Sequence, residues 1–78
     1  MKRTEAQVLS NNHIGQVFID QSDQNKKLFY ISIEKGFLGR VIELTNHKQH
    51  QWYSPDITDK ELVSQIGEWI QYNYSIPS

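Results

Sequence analysis

The stretch that decides the fold is ITDKELVSQIGEWIQYNY, Ile57 to Tyr74. Thr58 followed three residues later by Glu61 has the form of a capping box, in which hydroxyl and carboxylate each take one orphan backbone N–H. Ile57 before the cap and Leu62 after it are placed as a hydrophobic staple. Asp56 and Asp59 put negative charge where the helix dipole is positive. At about 100° per residue, Leu62, Val63, Ile66, Trp69, Ile70 and Tyr74 fall on one arc, and Lys60, Ser64, Gln65, Glu68 and Gln71 on the other side. The pattern predicts an amphipathic helix with one face to bury. Gly67 sits at the margin of the apolar arc, where a missing side chain lets the backbone approach its partner layer.

Working outward, the preceding residues read as strands. Ile14 to Asp20 is rich in β-branched and aromatic residues and too short for a helix of its own. Leu28 to Glu34 alternates, with Phe29, Ile31 and Ile33 on one face and Leu28, Tyr30, Ser32 and Glu34 on the other. Arg40 to Thr45 alternates again, with Ile42 and Leu44 sharing a face. Gln51-Trp52-Tyr53 is a short fourth strand ended by Ser54-Pro55. The polar segments Gln21 to Lys26 and Asn46 to Gln49 read as turns. Gly36 to Gly39 reads as the loop between the second and third strands.

One register makes these strands consistent. It sets Ile33 opposite Ile42, Ile31 opposite Leu44, Ile19 opposite Phe29, Val17 opposite Ile31 and Trp52 opposite Leu44. The inner face is then Val17, Ile19, Phe29, Ile31, Ile33, Ile42, Leu44 and Trp52. The expected fold is α+β: an antiparallel three- to four-stranded meander with one C-terminal amphipathic helix across one face. For residues 1–12, Thr4-Glu5-Ala6-Gln7 predicts a short capped helix through Val8 and Leu9, stopped by Asn11-Asn12; a frayed arm or a short extra strand is the competing reading.

The 78 residues make one small domain. No apolar run approaches the ~20 residues needed to cross a bilayer, and no signal-peptide pattern is present. The chain has no cysteine, which excludes disulfides and thiolate chemistry and fits a cytosolic setting. Residues 1–54 hold seven Lys/Arg against five Asp/Glu, and residues 55–78 hold one Lys against four acids. Neither excess implies a polyanion partner.

Candidate chemistry is sparse. His47 and His50 are spaced H-x-x-H, and His13 could join them, but no cysteine and no carboxylate at ligand spacing completes a zinc site. There is no H-E-x-x-H, G-x-S-x-G or P-loop. Glu34 and Glu43 are near neighbours across a hairpin, which reads as a solvated pair. The sequence therefore reads as non-enzymatic, with no cofactor and no metal.

The order helix–strands–helix resembles the double-stranded-RNA-binding domain and small toxin nucleases of similar fold, in topology alone. Their basic second-helix start and Gly-Ser-His are absent; here the helix begins Thr58-Asp59-Lys60-Glu61, which repels phosphate. No family is assigned.

Two features stand out as candidate contact sites. The register sets Phe18 opposite Tyr30 on the outer face, near Leu28, Val41, Thr45 and Tyr53. The N-terminal segment could cover this face, a protein partner or second copy could dock on it, or bases could stack on it. The turn Gly36-Phe37-Leu38-Gly39 carries two large apolar residues at a hairpin tip, which either fold back on the core or anchor a partner.

The functional expectation is a small cytosolic module of bacterial or phage type that binds another protein, as inhibitor, adaptor or regulatory subunit. Its partner-binding residues are Phe18, Tyr30, Phe37 and Leu38. Homodimer formation through the outer face or an edge strand is compatible with it. The alternative is a weak single-stranded nucleic-acid binder using Phe18 and Tyr30 with Lys27 and Arg40, disfavoured by Glu34 and Glu43.

Overall fold

The computed structural model describes residues 3–46 and 49–74. Five strands form one antiparallel sheet in chain order: β1 Arg3–Leu9, β2 Ile14–Gln21, β3 Leu28–Ile33, β4 Gly36–Asn46 and β5 Gln49–Tyr53. A single helix, α1 Lys60–Asn73, follows. The α+β meander with a C-terminal helix is as expected, with five strands in place of three to four. No helix among the described residues is long and apolar enough to cross a membrane.

The extra strand is the N-terminal segment. Arg3–Leu9 is neither helix nor arm but pairs along its length with β2, from Arg3 opposite Asp20 to Leu9 opposite Ile14. Thr4, Ala6 and Val8 alternate inward with strict period two. That alternation, supported by a neighbouring strand, outweighs the weak helix signal of Thr4-Glu5-Ala6-Gln7. The segment extends the sheet instead of covering its outer face.

Between β2 and β3 the register is Ile19 opposite Ile31 and Phe18 opposite Ser32. This is two residues from the expected pairing, so the faces hold while the partners change. Ser22 sets the longer loop: its hydroxyl accepts from the backbone N–H groups of Gln24 and Asn25, and its own N–H donates to Leu28 O at 2.9 Å.

The third strand departs further. The turn is the polar pair Glu34-Lys35, followed by Gly36 at φ +144°, a backbone conformation that side chains disfavour. Gly36 to Gly39 is therefore strand and not loop. Ser32 pairs with Phe37 and Ile31 with Gly39, leaving Leu38 as one extra residue, a β-bulge. Beyond it Phe29 faces Val41 and Leu28 faces Ile42. The expected faces of β4 are thus reversed. Val41 and Glu43 point inward, and Ile42 and Leu44 point outward. Trp52 lies opposite Glu43, not Leu44.

The core comprises Ala6, Val8, Val17, Ile19, Phe29, Ile31 and Val41 from the sheet with Leu62, Val63, Ile66 and Ile70 from the helix. Phe29 sits at its centre, with Trp52 and Tyr74 edge-on at ring separations of 6.4 and 5.2 Å. Asp59, not Thr58, caps the helix: one carboxylate oxygen accepts from the N–H groups of Glu61 and Leu62. The helix lies close because Gly67 has no side chain; a Cβ there would stand 2.3 Å from the Trp52 ring.

Side chains also tie the helix to the β1 side of the sheet. Asn12 donates to Asp59 at 3.3 Å. Leu9 N–H donates to Gln65 Oε1 at 2.7 Å, and Gln65 Nε2 donates back to Leu9 O. Trp69 Nε1 donates to Gln7 O at 3.1 Å, and the Tyr74 hydroxyl donates to Ile19 O at 2.8 Å.

Two outcomes follow for stability. Gly67→Ala should destabilise by about 1–3 kcal/mol in a thermal or urea titration, because displacing the indole outweighs the ~1 kcal/mol helix-propensity gain of Ala. The Asp59 carboxyl is held below its ordinary value of 3.8, chiefly by the Ser10 hydroxyl, then by the Leu62 N–H, Asn12 and the Glu61 N–H, against the opposing effect of burial. A lowered folded-state pKa stabilises above the unfolded value and loses that contribution as pH falls through the folded one. Below about pH 4, Asp59→Asn should therefore lose Tm less steeply than the parent chain when both are followed by circular dichroism.

Candidate functional site: the outer sheet face and the β5 edge

The reversal of β4 decides what the outer face presents. Continued without the bulge, the turn register would place Arg40 opposite Phe29 inside the core, with Ile42 and Leu44 on the same side. The bulge turns Arg40 outward, where a guanidinium stays hydrated. The same rotation turns Ile42 and Leu44 out and brings Glu43 in. The sheet thus turns two aliphatic side chains outward, Leu44 exposed and Ile42 half-buried, and buries an acid, opposite to what hydrophobic burial alone favours.

Three cross-strand rows follow from the register. Phe18, Ser32 and Phe37 form the first; Asp20, Tyr30 and Arg40 the second; Leu28, Ile42 and Tyr53 the third, with Leu44 beside it. Tyr30 is 40% exposed, Phe37 63%, Leu44 47% and Tyr53 51%. The Tyr30 and Phe37 rings are 6.4 Å apart. At roughly 150–250 Å² per fully buried aromatic side chain, these half-exposed groups amount to a patch of a few hundred Å², the size that on small proteins is often functional.

The expected site residues distribute as follows. Tyr30 and Phe37 come together on this face. Phe18 lies opposite Ser32 and not Tyr30; it is half-buried, with the Arg3 guanidinium 5.3 Å from its ring centre. Leu38 is half-buried against the core, and the hairpin tip is Glu34-Lys35, so Phe37 projects from a strand face and not from a turn. Ile42 and Leu44, expected in the core, join the patch instead. The two expected nucleic-acid contacts are both matched to carboxylates. Arg40 gives Asp56 a two-pronged contact, Nε at 2.8 Å and Nη2 at 3.1 Å, while Lys27 Nζ is 3.9 Å from Glu43. The Arg40 guanidinium and then its backbone N–H hold the Asp56 carboxyl below the usual range.

Glu43 is not a surface neighbour of Glu34. Its side chain is fully buried on the inner face, and His50 Nδ1 approaches Oε1 at 2.9 Å. The His50 ring stacks on Trp52 at 6.3 Å. His47 lies outside the described residues. Among the described residues no group of three or more His, Cys, Asp or Glu side chains could hold a metal ion.

The sheet's two edges differ. At β1, Leu9 N–H and C=O are both taken by the Gln65 carboxamide, and Gln7 C=O by Trp69. The carboxamide offers one acceptor and one donor at once, as a neighbouring strand residue would. At β5, among the described residues, only β4 pairs with the backbone from His50 to Tyr53. Beside that edge lies an open groove of about 430 Å³, lined by Trp52, Tyr53, Ser54, Ile57, Lys60 and Val63 among others.

Replacing a buried ion pair by an apolar side chain of similar volume is often neutral or stabilising. Glu43→Leu should therefore keep or raise the thermal midpoint, since half-exposed Lys27 and His50 can turn to water. Glu43→Ala, which leaves a cavity, should lower stability by about 2 kcal/mol or more. No protein-family model, curated protein or solved structure matches this chain.

Proposed function

We propose that this chain is a small non-enzymatic protein-binding module, an inhibitor, adaptor or regulatory subunit, that docks a partner on its outer sheet face. Tyr30, Phe37, Ile42, Leu44 and Tyr53 form the contact, with Phe18 at its border. The observation that carries the reading is the bulge-driven reversal of β4, which leaves Ile42 and Leu44 outside and buries Glu43. A sheet that gives up aliphatic burial on its helix side is built to present that surface, because departures from local rules concentrate where function demands them. The cytosolic setting, read from the absence of cysteine, belongs to this proposal.

The nucleic-acid alternative ranks below it. Stacking aromatics need nearby cations free to meet phosphate, whereas Arg40 is held by Asp56 and Lys27 faces Glu43.

The test pairs capture with stability. A partner retained by the parent chain should be lost by Phe37→Ala or Tyr53→Ala, each weakening binding about 30-fold if it is a hot spot, with Tm changed by no more than a few degrees. Retention of single-stranded DNA or RNA that falls steeply with salt, with a slope reduced by Arg40→Gln, would overturn the reading in favour of the alternative.

A further inference from the structure

We infer that the open edge of β5, with the groove beside it, receives an extended segment of the partner protein, which adds a sixth strand to the sheet. This deepens the proposed protein-binding function, on which it rests.

The first support is the inequality of the two edges. Along a strand, alternate residues turn N–H and C=O to the same side, so a free edge is a template for another strand. On β1 the outward N–H and C=O of Leu9 and the outward C=O of Gln7 are occupied by Gln65 and Trp69. No side chain among the described residues does this for His50 to Tyr53. The Gln7–Leu9 end of one edge is covered by the helix, and among the described residues no such cover is found along His50 to Tyr53 of the other.

The second support is the groove. Recognition by strand addition takes affinity from main-chain hydrogen bonds and specificity from pockets for alternate side chains. The groove lies between the end of β5, the connecting segment and the start of α1, with Trp52, Ile57 and Val63 as apolar walls. It can take a large apolar side chain from an added strand. Lys60 stands at its rim, exposed, and has no ion-pair partner among the described residues.

The occupant is therefore an extended peptide segment of a different protein, carrying an apolar anchor and an Asp or Glu side chain that meets Lys60. A second copy pairing through its own β5 fits less well, because Gln49–Tyr53 contains no acid to set against Lys60. The third outer row, Leu28–Ile42–Tyr53, ends on this same strand. A partner seated on the outer face can thus reach the edge without leaving the protein surface.

The probe is a phage-displayed library of random peptides roughly ten residues long, about twice a typical strand, selected on the full chain. Selected sequences should carry an apolar residue with a nearby Asp or Glu. As synthetic, C-terminally amidated peptides they should slow amide exchange in β5 and not in β1. N-methylation at alternate peptide residues should abolish binding in one phase and spare it in the other. Lys60→Glu, a solvent-exposed change, should weaken binding about tenfold.

Selected peptides indifferent to N-methylation and to Lys60→Glu would overturn the inference, as would a selection yielding nothing tighter than about 1 mM. Concentration-dependent dimer formation that itself protects β5 would overturn it in favour of a second copy. A natural partner lost on Phe37→Ala but neither displaced by the peptides nor affected by Lys60→Glu would sink this inference while leaving the outer-face reading intact.

Discussion

The fold turns on keeping one guanidinium out of the core. Strand side chains alternate with period two, so the tight Glu34-Lys35 turn alone would oppose Arg40 to Phe29. One extra residue, Leu38, breaks that alternation, and everything beyond it changes sides. Val41 then completes the layer above Phe29, while Arg40 reaches Asp56 at the surface. Gly39 belongs to the same solution. Opposite Ile31 it carries no side chain, and a Cβ there would stand 2.7 Å from Ile57. The connecting segment can therefore close over this end of the sheet.

Much of this was legible in the residues, and the failures have definite causes. The helical stripe from Leu62 to Tyr74 and the inward set Val17, Ile19, Phe29 and Ile31 follow from periodicity, because a full apolar face admits one orientation. The approach at Gly67 was legible for the same reason. At residues 3–9 the competing extra-strand reading is the one the structure bears out; it was hard to prefer because Thr4, Ala6 and Val8 are small or only mildly apolar, so their alternation competes poorly with a capping pattern. The turn misled because two glycines bracketing Phe37-Leu38 resemble a loop, whereas the effective signal was the polar pair followed at once by Gly36. A bulge leaves no mark in hydrophobic alternation, so Ile42 and Leu44 were read as core.

The same error bears on the site. Tyr30 and Phe37 could be picked out as outer-face residues, but Ile42 and Leu44 could not, since nothing local says that an aliphatic pair in a strand faces water. The burial of Glu43 was equally hidden: only the pairing with β5 brings His50 and Trp52 beside it. Edge properties were out of reach altogether. Whether a backbone carbonyl finds a partner depends on where a distant Gln65 or Trp69 falls, more than fifty residues along the chain.

Gln65 and Trp69 also join two events that most small domains keep apart. Melting of the helix and unmasking of the Gln7–Leu9 end of the first strand are here one opening. Sheet growth from the Gln7–Leu9 end of β1 therefore waits on the helix's own openings, whereas β5 presents its edge in the folded state.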